Sequence, residues 1–185
     1  DPGLYRRRAA AAMKKGDFQL AAGDYAKVVE LRAGDARAWC DRGLAHALRG
    51  DRKQAIDDYT QAVKLDAKFA EAYYRRGNAA WDSDWKRAIA DYTEAIRLDG
   101  QQAAAQHQRA VALLATGAVD EAVQGFTEAI RLKPDSAMAF CGRGIAYRRR
   151  GSLEKAVADF AEAVRLNPRY VEAYVQRGYT HLARK

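Results

Sequence analysis

The chain has two cysteines, three prolines and three histidines in 185 residues. Neither cysteine belongs to a CxxC pair, which leaves no thiolate metal site or dithiol redox motif. His46, His107 and His181 stand far apart, no nucleophile is spaced with a base, and no glycine-rich phosphate loop occurs, so catalysis and a resident cofactor have no support. Mean hydropathy is −0.50, and no apolar run approaches the about 18 residues of a membrane span. No Ser- or Gly-rich linker interrupts the chain, so the reading is one continuous domain over residues 1–185. The chain opens at Asp1 rather than methionine and carries no basic-then-apolar leader, as expected if upstream residues were removed.

What is present is repetition. The run Ala55 to Asp66, AIDDYTQAVKLD, returns as AIADYTEAIRLD from Ala88 to Asp99, and more loosely as AVQGFTEAIRLKP and AVADFAEAVRLNP. A period of about 34 residues means stacked supersecondary units rather than one globular core. The repeats run 2–35, 36–69, 70–102, 103–136 and 137–170, with a half-repeat at 171–185; the third is one residue short. Place 8 holds Ala9, Gly43, Gly77, Ala110, Gly144 and Gly178, and places 20, 24 and 27 hold small, aromatic and small residues, read in the third repeat as Ile89, Tyr92 and Ala95.

Small and apolar residues at places 4, 8 and 11, then 20, 24, 27 and 30, give the three-four spacing of a helix face twice per repeat. Each repeat is therefore two antiparallel helices. Gly16-Asp17, Gly50-Asp51, Gly117-Ala118 and Gly151-Ser152 mark the turns, with glycine in the left-handed region and Asp or Ser capping the next helix. Small residues let the helices approach, and the aromatic at place 24 fills the space. Arginine stands at place 7 in all six repeats and aspartate at place 23 in four, which predicts an Arg/Asp ladder: Arg8 with Asp24, Arg42 with Asp58, Arg76 with Asp91, Arg143 with Asp159. Gly125 breaks it and leaves Arg109 as the arginine available for another role. Cys40 and Cys141, three repeats apart, are too distant for a disulfide, and free thiols favour a reducing, cytoplasmic compartment.

The pattern of Trp39, Gly43, Ala55, Tyr59 and Ala62, and of Phe140, Gly144, Tyr147, Ala156, Phe160, Ala163 and Pro168, resembles the tetratricopeptide repeat family over essentially the whole chain. Arginine at place 7 departs from the family's leucine. The resemblance implies an all-α, right-handed superhelical solenoid of five repeats and a half-repeat, whose first helices line a concave groove for a partner peptide or helix. By the same resemblance the groove is lined by places 2, 5, 9, 12 and 13. Those places include Cys40 and Leu44 in the second repeat, and Tyr74, Asn78, Trp81 and Asp82 in the third. They include His107, Val111 and Leu114 in the fourth, and Cys141, Ile145, Arg148 and Arg149 in the fifth. Tyr74, Trp81 and Leu114 read as anchors for an apolar or helical segment, against the alternative that they pack neighbouring helices. His107 reads either as a pH-sensitive groove residue or as a buried imidazole. The carboxylate clamp that some relatives use on chaperone tails would fall on Tyr74, Asn78, Gln108, Met138 and Gly142, where only Asn78 matches. The third repeat's shortened turn, WDSDW, lacks the usual glycine.

Formal net charge is +8, spread over the repeats as +3, +2, −1, −1, +4 and +2 with Asp1 supplying the remaining −1, so the ends are basic and the middle near neutral. Arg6 to Arg8 and Arg148 to Arg150 invite a phosphate-binding reading, but no aromatic-basic platform accompanies them, which favours an acidic protein segment at Arg148 and Arg149 over nucleic acid. The expected function is a non-catalytic interaction scaffold; the alternative is the docking arm of a larger enzyme or assembly. The half-repeat keeps Tyr174 and Gly178 without a second helix, and Tyr174, Val175 and Tyr179 on its end face suggest either that the parent protein continues or that chains associate end to end.

Overall fold

The computed structural model describes residues 1–81 and 84–184. Among them are eleven helices and no strand. First helices are α1 (Pro2–Lys15), α3 (Ala36–Arg49), α5 (Ala70–Ala80), α7 (Ala103–Ala115), α9 (Ala137–Arg149) and α11 (Val171–Ala183). Second helices are α2 (Phe18–Leu31), α4 (Arg52–Leu65), α6 (Trp85–Leu98), α8 (Val119–Leu132) and α10 (Leu153–Leu166). Every first helix begins on the first residue of a repeat. The helices gather into two compact units, Asp1–Leu98 and Asp99–Lys185.

Local chemistry sets the helix ends. Gly16, Gly50, Gly117 and Gly151 turn at φ of 78, 92, 88 and 83°, a region that residues with a Cβ rarely enter. Capping differs from expectation. Asp17 accepts from the Leu20 amide at 3.0 Å, but Asp51 and Ser152 make no side-chain cap. Asp51 pairs with Arg49 instead, because a guanidinium within reach competes with the amide. Caps appear where none was anticipated, in the links between repeats: Asp35 on the Ala38 amide at 3.0 Å and Ser136 on that of Ala139 at 3.3 Å. The turn at Asp82 and Ser83 lies outside the described residues.

Packing follows the periodicity. Ala55, Tyr59 and Ala62 are buried in α4, Ala122, Phe126 and Ala129 in α8, and Ala156, Phe160 and Ala163 in α10. In the third repeat the buried residue at place 20 is Ala88, not Ile89, which is half-buried. The missing residue falls before α6, so α6 keeps the register of the other second helices. Rings seat on bare glycine backbone: a Cβ on Gly43 would lie 2.8 Å from Tyr59, one on Gly77 2.8 Å from Tyr92, and one on Gly144 2.7 Å from Phe160. Burial of a ring of this size contributes about 1.5–3 kcal/mol, and only glycine admits it so close to the facing helix.

The arginine ladder forms as anticipated. Each arginine grips both oxygens of its aspartate: Arg8 on Asp24 at 2.6 and 2.6 Å, Arg42 on Asp58 at 2.9 and 2.6 Å, Arg76 on Asp91 at 2.9 and 2.6 Å, and Arg143 on Asp159 at 2.8 and 2.9 Å. The guanidinium also lies over the ring at place 4: Arg42 over Trp39 at 4.6 Å, Arg76 over Tyr73 at 5.4 Å, Arg143 over Phe140 at 5.6 Å. Within each unit successive first helices also touch: α3 meets α5, α7 meets α9, and α9 meets α11. Each unit thus has a face built from first helices.

Candidate partner-binding surfaces

In the first unit, α3, α4 and α5 enclose a pocket of about 260 Å³ lined by Leu44, Ala47, Arg52, Tyr59, Arg75, Asn78 and Ala79. Leu44 and Asn78 are two of the residues expected there. Asn78 is exposed and accepts a 2.8 Å hydrogen bond from the Tyr92 hydroxyl, which fixes its amide at the rim. Arg75, which the spacing argument missed, is positioned by Glu71, whose carboxylate accepts at 2.9 and 2.5 Å. Glu71 also accepts from Arg37 at 3.0 Å, and Arg37 donates to Asp41 at 3.2 Å. The signal available in the sequence was the Glu71–Arg75 pair, one helical turn apart. Burial pushes the Asp41 carboxyl up and the Tyr59 phenol up, so the Tyr59 hydroxyl stays protonated at the pocket floor. The pocket combines the apolar side chains of Leu44, Ala47 and Ala79 with two arginines, Arg52 and Arg75, and the Asn78 amide.

Tyr74 and Trp81 both have ring partners inside the unit. The Tyr74 ring centre is 6.0 Å from that of Tyr92, and Trp81 meets Trp85 edge-on at 4.6 Å. Each remains half-buried. Asp82 lies outside the described residues.

The second unit is more filled. Val111 and Ile145 are half-buried in the cluster around Ala110 and Phe126. Two expected lining residues are interior ones: Leu114 is 6% exposed and Cys141 1%. Leu114 sits on the flank of α7 that α8 and α9 cover, and Cys141 lies beneath Tyr170 at the start of α11, so neither reaches a partner. Cys40 is equally buried. Desolvation pushes the Cys40 thiol up to about 12 and the Cys141 thiol up to about 11, which keeps both as unreactive thiols. Both are free of disulfides. His107 stacks edge-on against Phe126 at 5.5 Å, and burial lowers its pKa despite hydrogen bonds to the Met138 backbone and Gln108. It is the neutral, packed imidazole of the two readings.

All of the arginines in the two runs except Arg7 are engaged internally. Arg148 donates to Gln176 at 2.9 Å, and Arg149 reaches across to the Leu114 carbonyl at 2.7 Å, where it satisfies the last turn of α7. Arg150 faces Asp120 at 3.2 Å, Arg6 pairs with Asp35 at 2.5 Å, and Arg8 belongs to the ladder. Arg149 and Arg150 remain solvent-exposed, yet these five guanidiniums are held in place rather than free to follow a phosphate backbone, while Arg7 is exposed without such a partner among the described residues. Among the described residues no group of three or more His, Cys, Asp or Glu side chains could hold a metal, and no helix is long and apolar enough to cross a membrane.

Helix hairpins repeated every 34 residues and stacked through small residues define a helical-repeat scaffold. Comparison with known families makes the class specific. One tetratricopeptide repeat family matches residues 6–57 and 74–137, and a second TPR repeat family matches residues 47–84 and 146–184. The chain belongs to the tetratricopeptide repeat family, whose members are protein-interaction modules. Among solved structures, a MamA protein is 26% identical over 92% of this chain and 94% of its own, with a TM-score of 0.83. YrrB, described as a TPR protein with an unusual peptide-binding site, is 23% identical over 96% and 92%, with a TM-score of 0.84. MamA from Desulfovibrio magneticus RS-1 is 18% identical over 91% and 96%, with a TM-score of 0.85. No curated protein matches at a significant level.

Proposed function

We propose that this chain is a non-catalytic scaffold that holds a partner peptide or helix against its first-helix faces, with the pocket between α3, α4 and α5 as the principal seat. The observation that carries the reading is that pocket: an apolar floor of Leu44, Ala47 and Ala79 beside a fixed guanidinium, Arg75, and a fixed amide, Asn78. Such a combination suits an apolar side chain flanked by a carboxylate or backbone carbonyl. Tyr74 and Trp81 extend the proposed contact surface of the first unit, and Val111, Ile145 and the edge of the packed His107 ring form a separate proposed surface on the second. Leu114, Cys141, Arg148 and Arg149 support it from behind or from its edge. The reading of the chain as the docking arm of a larger enzyme or assembly uses the same surfaces.

The test is to select peptides from a displayed library on the full chain and to measure the affinity of the winners for Leu44→Asp. We expect them to lose about ten-fold or more, because the substitution places a charge on the apolar floor. Winners that bind Leu44→Asp as tightly as the parent would move the working surface elsewhere.

A further inference from the structure

Among the described residues, four polar side chains line the pocket between α3, α4 and α5, and none of them is a carboxylate. Arg52, from the start of α4, and Arg75, from α5, carry N–H donors only. The Asn78 amide has two ends, but its Oδ1 is turned to the Tyr92 hydroxyl, which donates to it at 2.8 Å, and the NH2 end is left to donate. The Tyr59 hydroxyl stands beside the Arg75 guanidinium, and burial keeps it protonated, so it brings a further proton to the floor. The polar edge of the pocket is therefore made of donors.

Glu71 does not cancel this character. Its carboxylate lies outside the lining and receives Arg75 through one oxygen: Nε at 2.9 Å and Nη2 at 2.5 Å both reach Oε1, which uses two of the guanidinium's five N–H groups. The other Glu71 oxygen accepts from Arg37 at 3.0 Å. One carboxylate thus serves two guanidiniums, and Arg75, with its side chain 27% exposed, keeps N–H groups for a further acceptor. The size of the pocket also restricts its occupant. At about 260 Å³ it is smaller than the about 300–1,000 Å³ of sites that enclose a small molecule, and it fits one apolar side chain with its flanking groups.

We propose that the pocket takes an acidic segment of a partner protein, with an apolar side chain on the floor between two acidic residues whose carboxylates meet Arg75 and Arg52. The inference rests on the pocket reading above and deepens it by naming the charge of the occupant. A neutral segment laid over this edge would shut guanidinium and amide N–H groups away from water without acceptors, and a basic one would be repelled. A backbone carbonyl satisfies an N–H group but cancels no charge. The two guanidiniums come from two helices, so a pair of carboxylates along a segment meets them better than the single carboxylate of a chain end.

The probe is the peptide acetyl-Asp-Leu-Glu-amide, titrated against the full chain while the Leu44 methyls and the Arg75 Nε–H are followed by NMR. Its uncharged counterpart of the same shape is acetyl-Asn-Leu-Gln-amide. We expect the acidic peptide to shift both signals saturably and to bind about ten-fold or more tightly than the uncharged one. Raising the salt concentration should narrow that margin. Arg75→Gln should remove most of it; Glu71 would keep Arg37 as its partner, so the variant should retain the parent's circular dichroism. The two peptides on the parent chain need no variant and decide the matter alone if Arg75→Gln does not fold. Equal affinity of the two would overturn the inference while leaving an apolar pocket in place; the pocket reading itself fails separately, if library-selected peptides ignore Leu44→Asp. Tighter binding by the free acid acetyl-Ala-Ala-Leu would also overturn it and assign the donors to a chain end. So would the absence of any saturable shift with the acidic peptide.

Discussion

Arg42 in the first unit and Arg109 in the second occupy the same place of their repeats and meet opposite fates. Arg42 grips Asp58 with two hydrogen bonds beneath Trp39, both partners largely shielded, at 20% and 5% side-chain exposure. Arg109 faces Gly125 where the aspartate would be and Gln106 where the aromatic would be; its terminal nitrogen reaches Gln106 at 3.2 Å, and its buried Nε has no partner. Burial without a carboxylate lowers the Arg109 pKa, the reverse of the shift at Arg143, where the Asp159 hydrogen bond dominates. Yet α7 and α8 form the same hairpin, with Ala110, Ala122, Phe126 and Ala129 buried. Ala110 also closes the seat that glycine leaves open elsewhere. Accordingly the Phe126 ring lies against His107 and against Gly142 of the next first helix, where a Cβ would strike it. The hairpin is therefore made by small-residue packing, and the ladder adds polar satisfaction to it.

That comparison can be broken at either end. The largest effect is expected at Asp58→Ala, which strands a shielded guanidinium and should cost about 3–5 kcal/mol. Arg109→Ala removes no ion pair and should cost about 1 kcal/mol or less. Urea denaturation followed by circular dichroism measures both, compared by midpoint because a repeat array need not unfold in one step. Similar losses for the two would mean that the ladder is not what distinguishes them.

A smaller effect is expected from rebuilding the missing rung. A Cβ on Gly125 would lie 2.9 Å from the Ala110 Cβ, so an aspartate fits only if Ala110 gives way. The double variant Ala110→Gly/Gly125→Asp should gain about 1 kcal/mol, a charged hydrogen-bonded pair less the helix cost of a new glycine. Gly125→Asp alone should gain nothing. Equal stability of the single and double variants would remove Ala110 as the obstacle.

The smallest effect concerns His107. Its folded pKa lies below the ordinary 6.5, so the unfolded chain binds the proton more readily. The neutral imidazole therefore contributes stability that is full above about 6.5 and is lost as pH falls from there towards the folded pKa. His107→Gln should flatten the unfolding midpoint across that window, and an unchanged slope would assign the pH dependence to other groups.

Much of the architecture was legible in sequence because it rests on spacing. Places 7 and 23 are 16 residues apart on two helices joined by a turn, or 15 in the shortened third repeat, and that interval brings each arginine to its aspartate. The third repeat's buried Ala88 was misassigned to Ile89 because a one-residue deletion obscures the count, whereas helix register restores it at once. The candidate surface was less legible. Leu44 and Asn78, expected on that stripe from the repeat pattern, line the pocket between α3, α4 and α5, whereas Leu114 and Cys141, which share the equivalent stripe, are covered by neighbouring helices. Arg75 was missed because its orientation depends on Glu71 and on Tyr59 from another helix.

The sequence by itself determined the helices, their pairing, the glycine turns and the ladder, since each depends on residues within one hairpin and on the fixed 3.6-residue turn. Only the tertiary structure decided which stripe residues are open and which arginines are engaged. Those outcomes depend on how successive hairpins lean on one another, a distance and an angle that no single repeat encodes.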